Sequence, residues 1–316
     1  MTVTENALHA ALAPPASRIR LVVSDMDGTL LTPEKQVTHR TLAAVQALKE
    51  AGIPLCLVSS RPPGGIEMYF DVLGLHTPYG ALNGGTILNA DRTVRSQLAL
   101  DPGAVQDTLD MLKVHDLDAW LFRGHEWLVD NATGAYVEPE RKTVRIEPQI
   151  VSSFAGSLSG IGKITGSSAD YDAVARQEAE IGMLLEGRAS VARSSQWFLD
   201  ITPLDANKGN AVRELAAFYG IDPSEVACIG DMDNDVPMFK VAGLSIAMGQ
   251  ASDRVASQAH FTTAANTDEG WAKAIESLVL PRAVSLNDQA GSPSGSQSAS
   301  KPVSRPAAPS GTSGSA

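Results

Sequence analysis

Two cysteines in 316 residues leave no basis for a disulfide-stapled scaffold. Cys56 and Cys228 each sit inside an apolar run and read as small core residues. If their strands flank a common neighbour, the thiols are two sheet spacings apart, about 9–10 Å, beyond disulfide reach. No apolar run attains the roughly 18 residues of a membrane span, so a membrane is not an expected partner. Residues 1–16 lack the basic start and sustained apolar core of a secretory leader, so the expected location is cytoplasmic. Positive charge is also short. With 25 Lys and Arg against 36 Asp and Glu, the formal net charge of −11 argues against nucleic acid as the main partner. A small phosphorylated molecule stays open, because one metal ion can reverse a local field. Beyond Arg282 there is no aromatic residue, only a chain dominated by Ser, Ala, Pro and Gly. Such a segment cannot bury enough apolar area to fold, so 282–316 is expected to be a disordered tail.

What remains is long enough, and at 43% hydrophobic apolar enough, to build a substantial core. The apolar run Ile19-Arg20-Leu21-Val22-Val23 stops at Ser24-Asp25-Met26-Asp27-Gly28-Thr29-Leu30-Leu31. In an open α/β sheet, ligands bind beyond the carboxyl ends of the strands, where Asp25 and Asp27 would fall. Paired acids there invite a cation. Gly28 permits a sharp turn and close approach to a ligand, and Thr29 adds a hydroxyl. Alone, Asp-x-Asp-Gly could be a solvated turn. Three further clusters follow in order, two of them directly after apolar runs: Ser59-Ser60-Arg61 after 53–58, Lys208-Gly209, and Gly230-Asp231-Met232-Asp233-Asn234-Asp235 after 226–229.

The expected architecture is a doubly wound, mostly parallel α/β sheet with an inserted α+β domain. Residues 1–17 read as a flexible lead-in, 18–85 and 195–281 as the core, and 86–194 as the insertion. Thr38 is placed to cap a helix with Leu42, Val45 and Leu48 on one face and Gly52 as its stop. Asn207 caps another, carrying Val212, Leu215, Ala216 and Tyr219. In the insertion, 117–122 and 126–130 read as a hairpin around Arg123-Gly124-His125. Strands are expected at 86–89, 144–146, 161–164 and 189–201, and helices near 104–115 and 171–183. Trp120, Trp127 and Trp197 read as core aromatics, Arg123 and His125 as exposed turn residues, and Asp233 as a solvated loop or cap residue.

Taken together, Asp25-Met26-Asp27-Gly28-Thr29, Ser59 with Arg61, Asn83-Gly84-Gly85, Leu199-Asp200-Ile201 leading to Lys208-Gly209, and Gly230-Asp231 with Asn234-Asp235 resemble the haloacid dehalogenase-like hydrolases. The resemblance is to the Cof-like phosphatases with a IIB-type cap, and spans roughly residues 18–281. It implies that Asp25 is a nucleophile that carries phosphate, that Asp27 is the acid/base, and that Ser59 and Lys208 hold the phosphoryl group. Mg2+ would be bound by Asp25, the main-chain carbonyl of Asp27, and Asp231, with Asp235 acting from behind them. Gly28, Thr29, Arg61, Asn83 and Asn234 are expected against the substrate. The chain departs from many relatives in having Ser60 where they carry Gly, and in Pro62-Pro63 after Arg61. The implied function is a Mg-dependent phosphatase of small phosphorylated metabolites, with sugar phosphates the expected class. Alternatives are a phosphosugar mutase of the same fold or a non-catalytic phospho-ligand-binding protein. Monomer and homodimer both stay open.

Overall fold

The computed structural model describes residues 13–286 and the strand Thr4–Glu5. Its central element is Leu21–Ser24, buried along its whole length, as befits a strand covered on both faces of a parallel sheet. In chain order the strands are β1 (Thr4–Glu5), β2 (Leu21–Ser24), β3 (Leu55–Leu57), β4 (Tyr79–Ala81), β5 (Thr86–Leu88), β6 (Val94–Gln97), β7 (Asp118–Arg123) and β8 (Glu126–Val129). They continue as β9 (Gln149–Ile150), β10 (Lys163–Ser167), β11 (Ser190–Arg193), β12 (Phe198–Thr202), β13 (Val226–Gly230), β14 (Leu244–Ala247) and β15 (Phe261–Thr262). The helices that position the site are α1 (His39–Glu50), α2 (Pro63–Glu67), α3 (Phe70–Leu73), α4 (Pro102–Val114), α5 (Val137–Val144), α6 (Tyr171–Leu184), α7 (Lys208–Phe218) and α8 (Val236–Phe239).

The core sheet runs β1-β15-β14-β13-β2-β3, parallel throughout except for β1 against β15. Val23 pairs with Cys228 on one side and Cys56 on the other, so the two thiols flank one strand. Both cysteines are free and buried, and burial pushes the Cys56 thiol up to about 12. Thr38 caps α1 by accepting the Thr41 amide, and Gly52 follows the helix at φ 70°. The helix buries Thr41, Ala44, Val45 and Leu48 against the sheet, while Leu42 is only half-buried. Asn207 caps α7 through the Asn210 amide, and Val212, Leu215 and Ala216 line its buried face.

The inserted domain is a second sheet, β11-β12-β10-β7-β8-β9, antiparallel but for β8 with β9. Leu121, Ile164, Leu199 and Ile201 point to one face, where Val105 and Leu112 of α4 and Val174 and Ile181 of α6 cover them. Alternate residues Trp120 and Phe122 point to the other and join the larger apolar cluster that includes α2 and α5. The sheet β4-β5-β6 is antiparallel and connects to the core through a parallel bridge between Val58 and Gly80. No helix among the described residues is long and apolar enough to cross a membrane.

Strand partners place several segments differently from their sequence expectation. Core was expected to resume at 195, yet β12 pairs with β10 and β11, which puts Phe198–Thr202 in the inserted sheet. Likewise β5 pairs with β4, and β6 with β5, rather than with that sheet. Val144, expected to open a strand, closes α5, and Arg145 follows in the left-handed region at φ 52°. Val137 and Val144 are both buried, and packing of α5 on α2 overrides the β-branched pattern. The strand expected at 161–164 lies at 163–167, and 189–201 divides into the β11–β12 hairpin. The lead-in is tied down where it is described: β1 pairs with β15, and the Ala16 amide donates to Gly243 O at 2.7 Å. At the other end the Val284 amide donates to Ile19 O at 2.8 Å, so 282–286 packs on the core. The expectations for 1–3, 6–12 and 287–316 lie outside the described residues.

Candidate active site

Asp25 follows β2, Asp231 follows β13, and Lys208 opens α7, so the chain brings them together at the carboxyl edge of the core sheet. Lys208 Nζ stands 2.6 Å from Asp25 Oδ1 and 2.6 Å from Asp235 Oδ1. The other oxygen of Asp235 accepts the amides of Asp231 and Met232 at 2.8 and 2.9 Å. Both Asp235 oxygens are thus engaged, and the residue fixes Lys208 and the Asp231 loop. Thr29 Oγ1 donates to Asp231 Oδ1 at 2.9 Å, and Gln250 Nε2 donates to the Gly28 carbonyl. The left-handed φ of Gly28, 77°, belongs to glycine, and a Cβ there would stand 2.3 Å from Asp231 Oδ2.

Carboxylate oxygens of Asp25, Asp231 and Asp235 lie within 4.8 Å of one another. Burial, reinforced by Asp235 and Asp231 and opposed by Lys208, pushes Asp25 up to about 8. Burial and Asp235 push Asp231 up to about 6. Burial alone would lower the Lys208 ammonium, but Asp235 and Asp25 hold it above its ordinary value. One ammonium among three buried carboxylates leaves excess negative charge, and this donor set fits a hard divalent cation.

Asp27 does not join this cluster through its side chain. Arg61 holds its carboxylate from Nε and Nη2, and Lys35 Nζ reaches Oδ1 at 2.6 Å. Burial opposes the change, but the Arg61 hydrogen bonds with the Arg61 and Lys35 charges bring Asp27 down to about 2. Arg61 also donates to Gly65 O at 2.9 Å and accordingly faces Asp27 and α2. Pro62 is extended and Pro63 occupies the first turn of α2, so the two prolines launch that helix directly from the loop. Ser59 is buried, with its Oγ accepting the Arg61 amide at 3.2 Å. Asn83 donates its amide to Ser59 O and accepts Asn234 Nδ2 at 3.0 Å, linking two loops of the site.

Above these residues is a cavity of about 420 Å³, lined by Asp25, Asp27, Asn83, Lys208 and Asn234 from the core and by Asp200 and Thr202 from the inserted sheet. An adjoining one of about 460 Å³ shares Asp27 and Ser194 and adds Lys163, Glu140 and Trp197. The inserted domain is therefore a cap over the site. Lys163, Glu140 and Arg193 have no motif of their own and enter the cleft through cap packing, so sequence reading missed them. Asp200 lay within a recognised segment but was not expected at the site. Trp120 and Trp127 are core residues as expected, whereas Trp197 lies on the cleft, stacked on Tyr136 at 5.6 Å. His125, at the hairpin tip, reaches Glu67 of α2 at 2.8 Å and ties cap to core.

Residues 22–275 match the haloacid dehalogenase-like hydrolase family, and the chain belongs to it. Bacillus subtilis YxeH is 30% identical over 285 residues, covering 83% of this chain and 99% of its own. The 5-amino-6-(5-phospho-D-ribitylamino)uracil phosphatase YwtE of the same organism is 27% identical over 286 residues, covering 83% and 98%. A crystal structure of a haloacid dehalogenase-like hydrolase from Bacteroides thetaiotaomicron superposes with a TM-score of 0.75 at 28% identity, covering 82% of this chain and 99% of that one.

Proposed function

We propose that the chain is a phosphoric monoester hydrolase that removes phosphate from small phosphorylated metabolites, sugar phosphates among them, with Mg2+ and through an aspartyl-phosphate. The observation that carries this reading is the convergence of Asp25, Asp231, Asp235 and Lys208 beneath a capped cleft. Asp25 attacks phosphorus, the ester oxygen departs, and water later releases phosphate from the Asp25 carboxyl. Asp25, Asp231 and the Asp27 main-chain carbonyl would hold magnesium, which supplies the positive charge that allows an anionic nucleophile to meet a phosphoryl group. Lys208 steadies Asp25 and faces the phosphoryl oxygens together with Ser59. Asp27, ionised while Arg61 and Lys35 hold it, first takes up a proton from solvent, gives that proton to the leaving oxygen and then takes one from the attacking water. For that it must exchange Arg61 and Lys35 for the reacting groups, a step suited to cap movement. Asn83, Asn234, Gly28 and Thr29 shape the loops that receive the phosphoryl end. A cytoplasmic setting belongs to the same reading.

The test is phosphate release from a panel of phosphorylated metabolites with and without magnesium, comparing wild type with Asp25→Asn. Release that needs both Asp25 and magnesium supports the reading. Activity retained in Asp25→Asn rejects it.

A further inference from the structure

The cleft is rich in cations, yet among the described residues each one that lines it is already paired. Lys208 lies between Asp25 and Asp235, Arg61 and Lys35 share Asp27, and Arg193 meets Glu178 at 2.8 Å. Deepest in the cap, Lys163 Nζ stands 2.9 Å from Asp200 Oδ2, while Thr165 Oγ1 donates to Asp200 Oδ1 at 2.8 Å. Lys163 and Asp200 are both under a tenth exposed, so their pairing is shielded from solvent and salt.

Strand register explains why this pair faces the cleft. Trp120, Thr165, Asp200 and Ala192 form one row across four cap strands, and alternation puts Lys163 and Thr202 on the same face. Asp200, Ala192 and Thr202 line the cavity above Asp25 and Lys208 with small or hydrogen-bonding side chains, and Lys163 lines the adjoining lobe. Glu140 adds a carboxylate that no cation among the described residues pairs with at salt-bridge distance. The part of the cleft beside Asp200 and Thr202 can therefore exchange hydrogen bonds with hydroxyls, while Lys163, the buried cation on that face, is already held by Asp200.

Resting on the phosphatase reading above, the geometry points to the Lys163–Asp200 pair as a specificity determinant: it admits phosphomonoesters with an uncharged, hydroxyl-bearing leaving group and rejects those carrying a second anionic group. A second anion would be buried beside Asp200 and Glu140 without a partner, which is discrimination by an unpaired charge.

The experiment compares kcat/KM for glucose 6-phosphate and gluconate 6-phosphate, of equal carbon number, the second open and ending in a carboxylate where the first closes into a ring. Glucitol 6-phosphate, open and uncharged at that end, is the control expected to behave like glucose 6-phosphate. Wild type is expected to favour glucose 6-phosphate by on the order of tenfold or more. Asp200→Asn leaves the Lys163 ammonium unopposed and should reduce that preference severalfold, whereas Asp200→Glu keeps it. Ala192→Lys, at an exposed position on the same row, adds a cation without disturbing the buried pair and should shift the preference the same way. Equal wild-type use of the two esters, or an unchanged ratio in both Asp200→Asn and Ala192→Lys, overturns the inference. If wild type hydrolyses neither ester nor p-nitrophenyl phosphate, the phosphatase reading fails separately. Calorimetric binding of the two esters then decides: tighter binding of glucose 6-phosphate upholds the discrimination, and equal or reversed affinity overturns it.

Discussion

Arg61 grips Asp27 with two hydrogen bonds, Nε to Oδ2 at 2.6 Å and Nη2 to Oδ1 at 2.8 Å. The Asp27 carboxyl is thereby brought down to about 2. A depressed carboxyl contributes stability that is complete above its unfolded value, about 3.9, and is lost as pH falls through the folded one. Arg61→Met should therefore melt below wild type at pH 6 by a gap that holds down to about pH 4 and narrows below it toward pH 2. Thermal melts across that range check this, and a gap independent of pH would contradict it.

Magnesium should raise the melting temperature by binding the folded carboxylate cluster, and EDTA should reverse the gain. The shift is expected to be lost in Asp231→Asn, whose side chain keeps its shape without the charge. Melts with increasing magnesium measure both effects.

Lys208→Met removes the ammonium shared by Asp25 and Asp235 and leaves those buried carboxyls unpaired. A loss of about 3–5 kcal/mol is expected, together with loss of phosphate release. Urea unfolding measures the first and a phosphate assay the second.

Gly28→Ala forces a side chain into the left-handed region and against Asp231 Oδ2, 2.3 Å from the new Cβ. The expected cost is about 1–3 kcal/mol, with a weakened magnesium response because Asp231 must move. A variant with wild-type stability and magnesium response would show that the loop accommodates the methyl group.

The Cys56 thiol, pushed up to about 12 by burial, has almost no thiolate at pH 8. Neither Cys56 nor Cys228 should react with an alkylating reagent in the native protein, and both should react in denaturant. Mass spectrometry after timed alkylation reads the outcome.

Local signals were legible wherever a side chain speaks to its own backbone. Thr38 and Asn207 announced their helices because each caps an amide three residues on. The Asp25, Lys208 and Asp231 clusters were legible as an ordered set because two of them close buried strands and the third opens a helix. Segments decided by distant partners were not. Val144-Arg145-Ile146 looks like a strand until α2 offers α5 a surface, and β12 looks like core until β10 is seen beside it. Asp27 was expected to face the reacting groups, but its partner in this structure is Arg61, 34 positions away. Lys163 and Glu140 reach the cleft only through the register and packing of the cap, which no short motif encodes.

The neighbours of β2 arrive at very different times during synthesis. β3 emerges soon after β2, but β13, which covers its other edge, comes only at Val226–Gly230, after the whole cap has been made. Until then the nascent chain carries an apolar strand with one open edge, the kind of surface on which unfinished chains associate. The same delay withholds chemistry, since Lys208 follows Asp25 by 183 positions. A ribosome-bound fragment ending within the cap should thus need chaperone protection while still lacking a working site.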